Sequence, residues 1–409
     1  MELKYKRCAG LDVHQKNVVA SARMVDNGKV TEEVRTFETT TRGLLELSSW
    51  LEAAGCTHVA MEATGVYWKP VWHVLESKFE LVLANAAHIK NVPGRKTDVA
   101  DAVWIADLLA HGLIRGSFVP PTPIQDLRAL MRTRKQLVRE AARNTQRIQK
   151  ALEDANIKLT SVVSDILGKS GRAVLDALVA GEADPEKLVE LTSRRLKAPR
   201  EVLVEALRGS VREQHRFLIK VHLGQVDALN KAISELDERV EAHLDPFRKN
   251  VELLTTMPGI SDIAANIIVS EVGYDMVRFP SAAHLVSWAG FCPRADQSAG
   301  KRRSSRIRHG APWLKATLVQ CAWAAIRTKN SYLRSQFYRL KARVGAMKAI
   351  VAVAASMLTA AYHMLKTGSQ YKELTGAYLD RRDHAKLTKR LVRRLEGLGL
   401  KVTVEQQTA

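Results

Sequence analysis

The sequence predicts an α/β domain with a mixed sheet, then a long helical coiled-coil middle, then a mainly α-helical C-terminal domain. Residues 1–120 alternate short apolar strands with amphipathic helices. Residues 121–250 contain two long stretches with apolar residues at helical spacing, and residues 251–366 are rich in apolar helical segments. Residues 367–409 read as a basic tail.

The mixed sheet follows from the order of elements in the first region. Two strands, "NVVASARMV" and "VTEEVRTFE", flank an Asn-Gly turn and follow the buried strand "CAGLDVH". The helix "TTRGLLELSSWLEAAG" opens with Thr and closes with Gly. Strands "THVAMEATG" and "ELVLANA" then alternate with helices "VYWKPVWHVLESKF" and "DVADAVWIADLLAHG". An antiparallel start followed by this alternation favours a mixed sheet.

Two helical features leave alternatives open. The long helices of residues 121–250 fit an antiparallel coiled coil or an ordinary helical bundle, with a shorter helical insert between them. "MPGIS" and the helix after it resemble a helix–hairpin–helix turn, whose backbone N–H groups could bind a phosphate. A plain packing corner explains the same letters equally well.

The charge is unevenly distributed. The formal net charge is +20, and the three regions 1–120, 121–250 and 251–409 carry zero, +5 and +15. A basic excess of this size indicates a polyanionic partner, most often nucleic acid. A neutral domain that contains acids, joined to a basic one, is typical of an enzyme that acts on nucleic acid.

Cysteine usage and hydropathy exclude other classes. The four cysteines form no C-x-x-C pair, which argues against a zinc ribbon or a disulfide framework and fits a reducing cytoplasm. The N-terminus lacks the apolar core of a signal peptide. The apolar run "AIVAVAASMLTAAYHML" contains a His and many Ala, so a buried helix is favoured over a membrane span.

Four carboxylates define a candidate metal site. Asp98 and Asp101 are three apart on a predicted helix and share a face, although acids also favour a first helical turn through the macrodipole. Asp12 lies within an apolar strand, and Glu62 ends another. Because a buried carboxylate is costly unless it is paired or binds a metal, the set points to Mg²⁺, or Mn²⁺, and two such ions could flank a scissile phosphate.

The motifs that carry these acids resemble a known family. "GLDVHQKNVVAS", "MEATGVYW" and "GRKTDVADAVWIADLL" are similar to the Asp–Glu–Asp–Asp signature of the RuvC-like domain of DEDD insertion-sequence transposases, now described as bridge-RNA-guided recombinases. The resemblance implies an RNase H-like sheet for about the first 115 residues. It also implies phosphate contacts from the upstream segment "NAAHIKNVPGRKTD", namely His88, Lys90, Arg95 and Lys96.

A second motif, "FCPRADQSAGKRRSSRIRHGAPWLK", resembles the C-terminal domain of the same family. The resemblance implies that Ser298 is the nucleophile. From the residues alone, a serine in a basic segment more often only binds phosphate. Ser305 stands where the family often has glycine. The cations that follow suit bidentate phosphate contact; they are Lys301, Arg302, Arg303, Arg306 and Arg308.

The resemblance further implies a mechanism and partners. Ser298 would form a covalent 5′-phosphoserine link with DNA, assisted by Mg²⁺ on the four acids, within a dimer-to-tetramer assembly. A structured bridge RNA would pair with target and donor DNA, and no membrane is involved. Two rivals remain: a junction endonuclease in which the metal activates water, and a non-catalytic nucleic-acid-binding scaffold.

Overall fold

A computed structural model gives the structure of the chain. It folds into two compact units, Met1–Val119 and Pro120–Ala409, each of which is described by itself. For residues 296–298, 302, 303, 380, 382, 386 and 387 only the backbone is described. The structure describes residues 3–26, 28–63, 65–84, 89, 101–193, 196–293, 296–298, 300–304, 306–382 and 384–405.

The first unit contains a five-stranded mixed sheet, as the sequence predicts. The strand order is β3-β2-β1-β4-β5; β1, β2 and β3 are antiparallel, whereas β4 and β5 run parallel to β1. The strands and helices of this unit are β1 (Arg7–Val13), β2 (Asn17–Asp26), β3 (Lys29–Glu38), α1 (Thr41–Ala53), β4 (His58–Glu62), α2 (Trp68–Leu75), β5 (Glu80–Ala84) and α3 (Asp101–Ala110).

Alternate side chains of β1 and β4 point to opposite faces of the sheet and pack into two cores, one on each face. Leu11 and Met61 pack on one face with Leu47 of α1 and Leu75 of α2. Cys8 and Ala60, from the same two strands, pack on the opposite face with α3. The sheet is therefore covered on both sides, and α3 alone of the described helices lies over the second face.

Two long helices lead the second unit, and both match the predicted helical stretches. Asp154 near the end of one contacts His215 at the start of the other, and Arg134 contacts Asp237, so the pair is antiparallel. The short helices between them close an apolar core with both long helices. These elements are α4 (Thr122–Asp154), α5 (Leu159–Val162), α6 (Lys169–Ala180), α7 (Pro185–Glu190), α8 (Arg200–Ala206) and α9 (Glu213–Leu244).

The rest of the second unit is mainly helical, as predicted, with one small hairpin. The tail, whose helical part the sequence also predicts, contains the last two helices. The elements are α10 (Arg248–Thr255), α11 (Asp262–Val272), α12 (Ala282–Trp288), β6 (Asp296–Ser298), β7 (Lys301–Ser304), α13 (Pro312–Ala325), α14 (Tyr332–Val344), α15 (Ala346–Thr367), α16 (Tyr378–Arg382) and α17 (His384–Glu396), with 3₁₀ turns at Asp245–Phe247 and Met276–Arg278.

The turn "MPGIS" packs directly against another helix. Gly259 has φ +84°, and a Cβ built there would lie 2.4 Å from the carbonyl oxygen of Cys321 on α13. The next helix, α11, is capped by Ser261, whose hydroxyl accepts from the backbone N–H of Ala264. These contacts are those of a packing corner; phosphate binding at this turn stays a prediction.

Helix α15 is long and apolar enough to span a membrane by length and composition alone. It packs instead against α12, α13 and α14, and one face of it is inaccessible to solvent. Val353, Met357 and Leu358 are each 0% exposed, and the hydroxyl of Tyr362 donates to the carbonyl of Phe279. The helix therefore forms part of the core of this unit.

Candidate functional site

Asp12 and Glu62 lie side by side at one edge of the sheet. In the parallel pair β1–β4, Leu11 is in register with Met61, and the two acids are the next residues along each strand. Both acids alternate with the residues of the α1–α2 core, so their side chains are on the face covered by α3. Both are half-buried. The sheet thus brings together two of the four predicted acids.

Helix α3 extends toward the same edge. Its Ala110 carbonyl accepts from the N–H groups of Lys4 and Tyr5, just before β1. The thiol of Cys8 donates to the carbonyl of Ala106 at 3.7 Å. The helix therefore runs antiparallel to β1.

Glycine sets how closely α3 approaches the sheet. A Cβ at Gly10 would lie 2.2 Å from the carbonyl oxygen of Ala102 and 2.3 Å from the backbone nitrogen of Ala106. Two backbones can meet at this separation only where the side chain is absent. Since Gly10 faces Ala102, the Asp101 end of α3 lies at the end of β1 that carries Asp12. Asp101 is exposed.

The chemistry of these three acids fits a hard divalent cation. Carboxylate oxygens are the ligands that Mg²⁺ and Mn²⁺ prefer. Among the residues that the structure describes, however, no group of three or more His, Cys, Asp or Glu is close enough to hold a metal ion. Asp98, the fourth predicted acid, lies outside the described residues.

His14 is a neighbour of the acids that the sequence analysis missed. Its Nε2 lies 3.1 Å from Oδ2 of Asp12. The imidazole is 55% exposed, whereas the Asp12 side chain is 21% exposed. The letters "DVH" carry the signal, because residues two apart on a strand share a face. A cation that binds Asp12 competes with this contact.

The predicted phosphate contacts of the first unit fall outside the description. His88, Lys90, Arg95 and Lys96 all belong to residues whose structure is not described. Their role stays a prediction that depends on the resemblance.

Ser298 lies in a β-hairpin, which the sequence analysis did not anticipate. The sequence predicts only a basic segment there, because short strands with many charged and few apolar residues show no apolar periodicity. Ser298 ends β6 and pairs with Lys301 of β7. Gly300 in the turn has φ +75°, with no atom within 4 Å of its Cβ position. Glycine therefore permits the tight reversal and leaves space around it.

The basic residues in the hairpin and just after it are exposed wherever their side chains are described. Lys301, Arg306 and Arg308 are exposed, whereas the side chains of Arg302 and Arg303 lie outside the description. Lys315 of α13 donates to the carbonyls of Arg308 and His309, each at 2.8 Å. Burial lowers the pKa of Lys315. This lysine fixes the segment that carries the arginines to the start of α13.

Comparison with known proteins agrees with both halves of this description. Residues 9–157 match the model of a DEDD transposase family of the insertion sequence IS110, and residues 251–339 match that of the transposase IS116/IS110/IS902 family. The acidic edge falls in the first match, and the hairpin with Ser298 falls in the second.

Two relatives are similar to this chain: an uncharacterized protein of an IS110 element and a protein named as a putative transposase. A 43.6 kDa protein of insertion element IS110 from Streptomyces coelicolor is 27% identical over 301 residues, which is 68% of this chain and 73% of the relative. The protein y4qE of Sinorhizobium fredii, named as a transposase, is 31% identical over 139 residues, or 33% of this chain and 35% of the relative.

One chain thus carries both transposase matches, and the first of them contains the acidic edge of the sheet. This combination defines a transposase of an insertion sequence. The chain belongs to the family of DEDD-type insertion-sequence transposases.

Proposed function

We propose that this transposase cuts and rejoins DNA through a covalent 5′-phosphoserine intermediate at Ser298. The observation that carries the proposal is the adjacency of Asp12 and Glu62 at the carboxyl ends of two parallel strands, with the Asp101 end of α3 at the same edge. The strand order β3-β2-β1-β4-β5 supports an RNase H-like (RuvC-like) fold for this unit.

The cofactor is Mg²⁺, for which Mn²⁺ can substitute, held by Asp12, Glu62, Asp98 and Asp101. When bound, it supplies Lewis-acid stabilisation of the charge that develops on the reacting phosphate. The acids themselves hold and orient it at the sheet edge. Because His14 Nε2 lies 3.1 Å from Oδ2 of Asp12, the imidazole would have to give up this contact if that oxygen held the metal.

The serine step leaves the number of phosphodiester linkages unchanged. Ser298 Oγ attacks phosphorus, an Oγ–P bond forms, and the P–O3′ bond breaks. The hydroxyl proton passes to a base, and the leaving 3′ oxygen takes up a proton. In resealing, the 3′ hydroxyl of another strand attacks the phosphoserine and restores the serine hydroxyl. No energy cofactor is needed, and exposed cations such as Lys301 and Arg306 stabilise the charged phosphate.

Strand exchange requires one serine for each strand, so the working particle is a dimer that pairs into a tetramer. The long helices α4 and α9 serve this assembly, in which one subunit's serine meets another's acids. A bridge RNA selects target and donor DNA by base pairing, while the protein contacts the sugar-phosphate backbone of the duplex. Recovery and sequencing of the RNA that co-purifies with the chain tests this part.

Covalent capture tests the serine. A nicked suicide substrate, labelled on the 3′ side of the scissile phosphate, should leave labelled DNA attached to wild-type protein on a denaturing gel, because that fragment keeps the 5′ phosphate bonded to the serine. Ser298→Ala should abolish the adduct yet retain RNA binding. Ser304→Ala is the matched control, since its hydroxyl accepts from the N–H of Arg306 and has a structural contact. Cleavage without any adduct would identify the water-using endonuclease instead.

The acids are tested in the same assay. Asp12→Asn, Glu62→Gln, Asp98→Asn and Asp101→Asn should each suppress the adduct, and Asp26→Asn should not. Asp26 is a suitable control because it lies in the same unit and is paired with Arg7. Full transposition by Asp12→Asn would favour the non-catalytic scaffold.

A further inference from the structure

One face of α4 carries a continuous stripe of positive charge, here called the α4 cation stripe. Its members follow one another at steps of three or four residues, so they share a face of the helix. The opposite face, with Leu127, Met131 and Ile148, is buried in the unit. The stripe consists of Arg128, Arg132, Lys135, Arg139, Arg143, Arg147 and Lys150.

The first members of the stripe are occupied by the protein itself. Arg132 makes two hydrogen bonds to the carboxylate of Glu271, and Arg128 donates to the backbone carbonyl of the same residue. The ammonium of Lys135 donates to the hydroxyl of Thr317 at 2.9 Å. These contacts fix the first half of the stripe against α11 and α13.

The second half has weaker contacts with the protein, such as the 3.4 Å hydrogen bond that Arg147 donates to Oδ1 of Asn144 on the same helix. Arg139, Arg143, Arg147 and Lys150 are all exposed. Within the described part of the chain, no carboxylate lies at ion-pair distance from any of these four cations, although other arginines of the unit, such as Arg134, are paired. About three turns of helix therefore present four cations to solvent with no carboxylate among the described residues at ion-pair distance.

Trp313 links the stripe to the basic segment near Ser298. The charged groups of Arg132, Lys135 and Arg139 lie 5.9, 5.9 and 5.2 Å from the centre of its indole ring. Cations at this distance are attracted to the ring face. Trp313 is the second residue of α13, directly after the segment that Lys315 fixes. The exposed charge of that segment thus continues onto α4 within one unit.

The positive groups also work against one another. Burial lowers the pKa of Lys135, and the neighbouring charge of Arg139 lowers it further. An anion bound along the stripe would relieve this repulsion. Arginines four residues apart stand about 6 Å apart along a helix axis, and their planar donors suit bidentate contact with phosphate.

We propose that the exposed half of the α4 cation stripe, Arg139, Arg143 and Arg147, binds the phosphodiester backbone of a nucleic-acid duplex during transposition. The proposal rests on the proposed function, because it assumes that DNA and RNA are the partners. A duplex is favoured over a stacked single strand because α4 contains no Phe, Tyr or Trp, and the ring of Trp313 beside it is half-buried and already in contact with three cations of the stripe. The contact is therefore independent of sequence.

The test is a triple substitution, Arg139→Gln with Arg143→Gln and Arg147→Gln. The matched control removes three exposed cations from α9, Lys220→Gln with Lys231→Gln and Arg239→Gln, and changes the net charge equally. Fluorescence anisotropy over a series of NaCl concentrations measures the affinity for a short DNA duplex and for an RNA duplex of the same sequence. Circular dichroism confirms that both variants fold.

Each lost phosphate contact removes about 0.9 from the slope of log affinity against log salt for B-DNA. The α4 variant should therefore lose about 2 to 3 in slope and at least about tenfold in affinity, and the α9 control should change by less than about threefold. Loss with one duplex only identifies that nucleic acid as the occupant; loss with both identifies the shared backbone.

Equal affinities and equal salt slopes of the α4 and α9 variants on both duplexes would overturn the inference. The stripe would then be an ordinary solvated face of the helix. That result is separable from failure of the proposed function. A wild-type chain that binds neither duplex contradicts the function itself, whereas wild-type binding that the α4 variant retains contradicts only the role of the stripe.

Discussion

Arg132 holds the carboxylate of Glu271 with two parallel hydrogen bonds, Nε to Oε1 and Nη2 to Oε2, each of 2.8 Å. The Glu271 side chain is 2% exposed, so its charge is compensated almost entirely by protein. The pair joins α4 to α11. Bidentate geometry of this kind makes each partner costly to remove alone, because the other charge stays buried.

Arg132→Ala should lower the free energy of unfolding by about 3 kcal/mol, because the buried Glu271 carboxylate would lose its two hydrogen bonds and keep only Arg128, whose Nε lies 3.7 Å from Oε2. Denaturant unfolding of the purified chain measures this. Arg143→Ala, on the same helix and exposed, should stay within about 0.5 kcal/mol of wild type. The double variant Arg132→Leu with Glu271→Leu should recover only part of the loss, because Arg128 would lose the carboxylate that lies 3.7 Å from its Nε. Equal stability of Arg132→Ala and Arg143→Ala would mean that the ion pair contributes little.

Gly10→Ala should displace α3 from the sheet. The new Cβ would meet backbone atoms of Ala102 and Ala106 rather than flexible side chains. Overpacking of this kind costs about 1 to 3 kcal/mol, and adduct formation should fall because Asp101 moves with the helix. Gly116→Ala is the control, since its Cβ would be 3.5 Å from a methyl group of Val82. Full activity and stability of Gly10→Ala would contradict the close approach.

Cys8 should make stability fall at alkaline pH. Burial raises the pKa of this thiol from 9.0 to about 12. Above pH 9 the unfolded chain therefore releases a proton that the folded chain retains. The stabilisation is complete below pH 9 and is lost as pH rises toward 12, by about 1.4 kcal/mol per pH unit.

Urea unfolding of the wild type and of Cys8→Ala between pH 8 and about 10 measures this difference. Removal of the thiol should lower stability by a constant amount below pH 9, and the difference from wild type should shrink above pH 9, because the variant lacks the dependence on this one proton. Parallel curves for the two proteins would show that the thiol ionises equally in both states.

Two methionines on α15 test whether that helix belongs to the core. Met357 is 0% exposed and Met347 is 70% exposed. Met357→Ala should cost about 2 to 5 kcal/mol through the lost burial and the cavity, and Met347→Ala should change stability by no more than about 0.5 kcal/mol. Similar small effects at both positions in detergent-free solution would contradict the packed helix.

The sequence places Asp12 and Glu62 on two strands, whereas the approach of α3 follows only from the fold, for a physical reason. Strand periodicity alone fixes the face that Asp12 and Glu62 share. The need for Gly10 depends on a third element, Ala102 of α3, which is distant in sequence. The hairpin of Ser298 was missed because two short polar strands leave no apolar periodicity. Trp313 was missed because its cations come from another helix.

The unbroken hydrogen-bond ladder of α4 has a mechanical consequence. Its 33 residues make a rod about 50 Å long. One end is clamped where Asp154 meets His215, and the other region carries Trp313 on its flank. A stiff rod transmits torque that a loop would absorb. The contact with α9 at Asp154 and the cations around Trp313 therefore belong to one continuous helix.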